Sequence, residues 1–392
     1  MIKSYNFKLF NNKKKTKKLS NELWEFHLIY NHCIRLIKTH YKYFKKNPSK
    51  NNLQKHLKRL MDRGLKPSWK NLGYSQGIQE VTDRIYKSYD AFFKWAKTRK
   101  GVRKSPPKFR PFRKYKSFTL KQAGWKLDEV KGSIRIGANL YRYNNSRKIQ
   151  GVPKTVTVKR DSVGEWFISI SCDLGENFIP EKIEPMTGKS AGFDFGLKTF
   201  MTSSDEVTYT STEFLKKSLK ELRTKSRKLS SKLKGSKNRK KARKVVARQH
   251  RKISNQRNDS HFKLAINLVR NYDNLFFENL CLAGMKKLWG RKVSDYGFAT
   301  FLKILEFKSL EHGKNLHKIN RFYPSSKLCS NILCWNIKTK EEQTLLDRNY
   351  VCECCGLKID RDLNAAINIL REGASSLGLD GVSQVLKPAS VA

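Results

Sequence analysis

Four cysteines constrain this chain more than any other feature. Cys329, Cys334, Cys352 and Cys355 spell C-x4-C, a spacer of seventeen residues, and then C-x2-C followed by Gly356. Tetrahedral zinc takes four thiolates at about 2.3 Å, and a short knuckle delivers two of them from one tight turn. Gly356 frees the backbone to turn around the metal. Five of the eight cysteines fall between Cys329 and Cys355, a crowding that points to metal binding in a reducing compartment rather than to secreted cross-links. Cys354 is vicinal to Cys355 and competes with Cys352 for the third position only with awkward geometry, so Cys352 is the expected ligand. Four protein ligands leave no open coordination position, so a Zn²⁺ here holds shape and does no chemistry.

Charge sets the partner. The 392 residues carry 83 Lys and Arg against 33 Asp and Glu, a net charge of +50, which calls for a polyanion and first of all for nucleic acid. Hydrophobic residues at 38% supply a buried core. No apolar run approaches the roughly 18 residues of a membrane span, and the first residues lack the apolar centre of a secretory signal. There is no phosphate-binding G-x-x-x-x-G-K-[ST], no H-E-x-x-H and no His-x-His, which disfavours P-loop ATPases, zinc proteases and transposases built on paired histidines. Nineteen Lys and Arg between Lys216 and Arg257, against Glu221 alone, repel one another unless phosphates neutralise them.

The pattern of the chain divides it. Ile2 to Phe10 reads as a strand, followed by a basic run from Lys13 to Lys18. From Ser20 to about Lys104 apolar residues recur at helical steps, as in Leu23, Phe26, Tyr30 and Cys33, with breaks at Asn47-Pro48 and Arg63-Gly64. After Pro106, Pro107 and Pro111 come short alternating segments at Ser117–Leu120, Ser133–Ile136, Thr155–Val158 and Trp166–Ser171, which predict a small antiparallel barrel. A linker from Pro180 to Gly188 precedes strands near Ser190 to Thr202 and Val207 to Tyr209. A long helical stretch from Glu213 to about Tyr272 turns at Lys234-Gly235-Ser236-Lys237. A strand at Asn274–Phe277, a helix at Phe298–His312 and a strand from Asn315 to Phe322 follow.

Three acids stand out by context. Asp194 ends the strand Ala191-Gly192-Phe193, Glu278 ends Asn274-Leu275-Phe276-Phe277, and Asp362 opens a helix. A carboxylate at the end of a buried strand is costly unless it binds something positive. Two such strand ends joined by a helix-borne Asp suit two Mg²⁺ ions about 3.5–4 Å apart, the arrangement that drives phosphodiester hydrolysis.

Asp194-Phe195-Gly196-Leu197-Lys198, Glu278-Asn279-Leu280 with Gly284-Met285, and Cys352-x-x-Cys355-Gly356 running into Asp360-Arg361-Asp362-Leu363-Asn364-Ala365-Ala366-Ile367-Asn368 resemble the three nuclease motifs of the TnpB family. These are transposon-encoded RNA-guided DNA endonucleases related to the compact type V CRISPR effectors. Lys234-Gly235-Ser236-Lys237-Asn238-Arg239, Ser294-Asp295-Tyr296-Gly297-Phe298, Pro324-Ser325-Ser326-Lys327 and Pro107-Lys108-Phe109-Arg110 add to the likeness. The first knuckle departs from it, being C-x4-C where the family usually has C-x2-C.

The resemblance implies α/β architecture joined to β-barrel and helical parts: an RNase H-like RuvC nuclease domain at 188–323 and 359–372, and a zinc ribbon binding target nucleic acid at 324–358. It implies a wedge-like barrel from 1–12 and 105–187, a helical recognition insert at 13–104 and a flexible tail at 373–392. By the same likeness Asp194, Glu278 and Asp362 hold two Mg²⁺, Asp362 being preferred to Asp360 by the D-x-N-A-A pattern. A guide RNA pairs with one strand of a double-stranded DNA target while the protein reads a short flanking duplex motif, one protein copy per RNA, in a bacterial or archaeal cytoplasm at the nucleoid, with no membrane partner. Candidate nucleic-acid contacts are Gln76, Gln79 and Thr119 for the flanking motif, and Lys237, Arg239, Lys240 and Arg243 for backbone phosphates. The alternatives are a nuclease-silent RNA-guided DNA-binding repressor and a strand-joining transposase.

Overall fold

The computed structural model describes residues 2–10, 12–70, 75–175, 186–339, 342 and 347–379. The chain forms two compact units, Met1–Phe178 and Ile179–Ala392.

In the first unit, strand β1 (Ile2–Phe10) buries Tyr5, Phe7 and Leu9 on alternate positions, as a half-buried strand must. Helix α1 (Lys13–Phe44) starts seven residues before the periodic stretch, within the basic run, because the Asn12 side chain accepts from Lys15 N and caps it. Helices α2 (Lys50–Asp62), α3 (Pro67–Lys70) and α4 (Ser75–Thr98) follow. The chain then returns to the sheet with β2 (Ser117–Leu120), β3 (Trp125–Asp128), β4 (Ser133–Ile136), β5 (Asn139–Tyr143), β6 (Val152–Arg160) and β7 (Trp166–Asp173). The strand order is β2-β6-β7-β1-β5-β4-β3, with β1 paired antiparallel to both β7 and β5. The helices are therefore an insert between the first strand and the rest of its sheet.

The expected barrel is an open sheet: among the described residues β2 and β3 are its edges and do not pair. The β2 edge is covered by α4, whose Arg84 donates to Ser117 O and Thr119 Oγ1 and whose Gly77 lies against Leu120. A Cβ on Gly77 would stand 2.8 Å from Phe26, so the missing side chain lets α4 seat against α1.

The second unit opens with β8 (Ser190–Asp194), β9 (Met201–Ser203) and β10 (Thr208–Tyr209), so the strand expected from Ser190 to Thr202 is two strands joined by a loop. Helices α5 (Phe214–Ser230) and α6 (Lys237–Asn271) form the basic hairpin, with Gly235 in its turn at φ +90°. Strand β11 (Asn274–Glu278), helices α7 (Leu282–Tyr296) and α8 (Phe298–Glu311) and strand β12 (Asn315–Ile319) come next. Last are β13 (Asn349–Val351), β14 (Lys358–Asp360) and α9 (Arg361–Ser376). Helix α7 was not visible in the sequence pattern.

The sheet order is β10-β9-β8-β11-β12: the first three strands are antiparallel in sequence, and β11 joins β8 and β12 in parallel. Ala191, Phe193, Leu275, Phe276 and Phe277 are all buried, as expected of central strands covered on both faces. On one face Phe193 and Phe277 pack with residues of α6 and α8. On the other, Phe276 packs with Ile369 and Leu370 of α9. Two glycines permit that approach: a Cβ on Gly192 would stand 2.2 Å from Ala366 O, and one on Gly373 2.1 Å from Phe276. Gly373 is thus a packed position inside α9, and the helix continues to Ser376 where a flexible tail was expected to have begun. Residues 380–392 lie outside the described residues.

Candidate active site

The alternation of a strand places the three acids together. Phe193 pairs with Phe277 on neighbouring parallel strands, so Asp194 and Glu278 are the next residues at equivalent carboxyl ends. Gly192 and Phe276 face α9, and side chains two residues on face the same way, so Asp194 and Glu278 point to the α9 side as well. Asp362 lies in the first turn of α9, and its Oδ2 comes within 3.5 Å of the place a Gly196 Cβ would take, two residues beyond Asp194. Asp360 is otherwise employed: it caps α9, accepting from the amides of Asp362 and Leu363. The helix-borne acid free to face the strand ends is Asp362.

Electrostatics records the crowding. Burial, together with the charges of Asp362 and Glu278, pushes the Asp194 carboxyl up to about 8. Burial also raises Glu278, against the pull of a hydrogen bond from Ser325. Burial and then Asp360 raise Asp362, against Arg348, Arg361 and Lys198. None of the three makes a salt bridge among the described residues. The donor set is hard and anionic, which fits Mg²⁺ or another divalent cation. Among the described residues, the group of potential metal ligands drawn together within 4.8 Å is that of the cysteines.

The cysteine set is tighter. Cys329, Cys334, Cys352 and Cys355 bring their sulfurs within 4.8 Å, with Cys329–Cys355 at 3.6 Å and Cys334–Cys352 at 3.7 Å. A tetrahedron with metal–sulfur bonds of about 2.3 Å has edges of about 3.8 Å, whereas a disulfide would need about 2.05 Å. The set is compatible with zinc. Cys354 is exposed and outside it. Burial would raise the Cys352 thiol, but the amides of Cys355 and Cys354 donate to it and, with the neighbouring thiols, bring it down to about 6.

The nucleic-acid candidates divide. Gln76 Oε1 accepts from Ala123 N at 2.9 Å, and Thr119 is held by Thr157 and Arg84, so both have structural partners. Gln79 is exposed on the same helix. Arg239 also has structural partners: its guanidinium donates to Leu229 O and Lys232 O at the end of α5. Lys237, Lys240 and Arg243 are exposed on α6.

Three side chains that sequence reading did not single out for a role are Asn364, Asn368 and Arg371, all buried on α9. Their signal was present as polar residues at i, i+4 and i+7 in an otherwise apolar helix. All three bond to the backbone of 325–330.

Comparison with known proteins meets this geometry. A family model described as "Probable transposase" matches residues 169–288, and one described as "Cas12f1-like, TNB domain" matches 298–369. A Streptomyces pristinaespiralis protein named "Putative RNA-guided DNA endonuclease" is 37% identical over 59% of this chain and 56% of its own length. The Escherichia coli K12 protein "Putative RNA-guided DNA endonuclease InsQ" is 27% identical over 82% of this chain and 80% of its own. The mimivirus "TnpB-like protein L79" is 27% identical over 67% of this chain and 53% of its own. The chain is similar to proteins of the TnpB family. Its fold is shared with a Cas12f1 solved in complex with sgRNA and target DNA, at a TM-score of 0.53 and 15% identity over 91% of this chain and 83% of that one. The match to the Streptomyces and mimivirus relatives spans little more than half their length. No described helix of this chain is long and apolar enough to cross a membrane.

Proposed function

We propose that this chain is an RNA-guided DNA endonuclease that hydrolyses target DNA beside a short flanking motif, with Asp194, Glu278 and Asp362 as its catalytic carboxylates. The observation that carries the reading is the meeting of three half-buried acids, without salt-bridge partners among the described residues, in a chain whose net charge is +50. Elsewhere such a chain gains by spending acids on its surplus of Lys and Arg. The sheet order β10-β9-β8-β11-β12, third-second-first-fourth-fifth in chain order, supports an RNase H-like nuclease domain of the RuvC type. The relatives' names support a nucleic-acid-guided DNA cleavage activity.

Two Mg²⁺ ions bound there would supply an activated water on one side of the phosphodiester and neutralise the leaving oxygen on the other. Asp194 and Glu278 project from adjacent strands whose backbones are held by the sheet, so their spacing is set before substrate arrives. Burial and the neighbouring carboxylates favour the protonated form of Asp194, so a cation bound there would displace a proton. No covalent intermediate is needed. The exposed cations of α5 and α6 offer a phosphate-binding surface for guide RNA and DNA target, and base pairing supplies sequence specificity. The zinc ribbon is structural, and one protein copy per RNA carries every motif.

The test is to purify the protein from a host carrying its native flanking DNA and to sequence the RNA that copurifies. One RNA of defined end, directing Mg²⁺-dependent cutting of matching DNA that Asp194→Ala abolishes while binding persists, is the expected result. Heterogeneous RNA and no guided cutting would overturn it, and guided binding without cutting by the wild type would favour the silent repressor.

A further inference from the structure

We infer that the cysteine site also sets the geometry of the carboxylates, with Asn364, Asn368 and Ser325 as positioning residues. The inference rests on the nuclease reading above. The segment from Ser325 to Ser330 contains Cys329, and it touches both sides of the acid cluster.

On one side it is clamped to α9. Asn364 lies two residues beyond Asp362; its Nδ2 donates to Leu328 O at 2.8 Å and its Oδ1 accepts from Ser330 N at 3.0 Å, bracketing Cys329. One turn on, Asn368 Nδ2 donates to Ser325 O at 2.9 Å and Leu328 O at 2.6 Å. A further turn brings Arg371, which donates to Ser330 O at 2.7 Å and lies 5.5 Å from the ring centre of Trp335, the residue after Cys334. Both asparagines are fully buried. Here the segment presents bare backbone to the helix, so an apolar stripe would leave its amide and carbonyls without partners, while side-chain amides satisfy both.

On the other side, the buried Ser325 donates through Oγ to Glu278 Oε1 at 3.4 Å. A continuous path thus runs from Glu278 through Ser325 and Cys329 to Asn364 and Asp362. Two strands hold Asp194 and Glu278, but Asp362 begins a helix whose first turns are held by this segment. A metal on four sulfurs fixes Cys329, and the clamp passes that constraint to the helix bearing Asp362. Outer partners of this kind commonly change metal affinity by about tenfold or more when removed.

The test uses the full-length protein with Mn²⁺ as the probe of the carboxylates and Co²⁺, substituted for zinc, as the probe of the cysteines. Mn²⁺ affinity is read by electron paramagnetic resonance, and the cysteine site by the cobalt–thiolate absorption bands. Asn364→Ala is expected to perturb the cobalt bands and to weaken Mn²⁺ by about tenfold. Ser325→Ala, the milder change, is expected to weaken Mn²⁺ about threefold with the cobalt bands intact, at the low end of such effects because its bond is long. Ser325→Thr should restore it. Wild-type Mn²⁺ affinity in both alanine variants would overturn the positioning role. Mn²⁺ binding that is the same in wild type and Asp194→Ala would mean the acids are not the metal site, and the nuclease reading and this inference would fall together.

Discussion

The cysteine and carboxylate clusters are assembled in opposite ways. The four cysteines span 27 residues, their ligand pairs sit in short turns, and their sulfurs already stand near the edge length of a zinc tetrahedron. The three acids come from Asp194, Glu278 and Asp362, so two strands, a helix and the sheet between them must form before the site exists. In the first cluster the amides of Cys355 and Cys354 favour a thiolate at Cys352, whereas in the second burial and the charges of Asp362 and Glu278 favour a proton on Asp194. A site made from neighbours in the chain can be closed and structural. A site made from distant strands lies at the carboxyl edge of a sheet, the place where α/β folds commonly bind ligands.

Removing a member from each cluster tests this difference most strongly. Asp194→Ala should lower guided cleavage by at least about a thousandfold while leaving RNA binding near wild type, the outcome expected of a carboxylate that acts in the reaction. Cys352→Ser should do the reverse in kind: bound zinc falls below one per chain by elemental analysis, and the second unit loses several kcal/mol, about the scale on which structural zinc stabilises small domains. Cys354→Ser should keep its zinc; loss there would show that the ligand set has been misassigned.

Between the clusters lies the packing of α9 on β8. Gly192→Ala places a Cβ where Ala366 O and Leu370 N already stand, at 2.2 and 2.4 Å, so the helix must lift. A cost of about 2–3 kcal/mol in a denaturant titration is expected, with cleavage reduced beyond the loss of folded protein because Asp362 moves with the helix.

The pH response follows in size. The Asp194 carboxyl is raised to about 8, so between its ordinary value and 8 the folded chain binds more protons than the unfolded one. Metal-free stability should fall as pH rises through that window, and Mg²⁺ should bind with release of a proton below pH 8 and more tightly as pH approaches it. Asp194→Asn should flatten the stability trend in calorimetry; an unchanged trend would show that the acids do not repel. The smallest effect belongs to the surface. Lys240→Glu with Arg243→Glu should weaken RNA binding and reduce the salt dependence of its affinity by about one to two units of slope.

Much of this was legible in the sequence. The cysteine spacing, the basic hairpin and the strands carrying Asp194 and Glu278 are local patterns, and β1, β2 and β4 match their expected bounds residue for residue. The β3 and β5 strands were missed because four or five residues with charged interruptions give little periodicity. Helix α7 was missed because Gly284 and Gly290 and a break at Trp289 interrupt its pattern.

Chain order alone determined which residues are acid, thiol or cation, and therefore which chemistry is within reach. It also set the periods that turn segments into strands and helices, since those depend on neighbours within a few residues. The tertiary structure decided the rest: that β1 completes a sheet otherwise formed after the helical insert, that Arg239 donates to the end of α5, and that Asp360 caps α9 while Asp362 faces the strand ends. It decided too that Asn364 and Asn368 satisfy the backbone around Cys329. Each of these depends on which groups are left without a partner once distant segments pack, and a buried polar group finds its partner across space rather than along the chain.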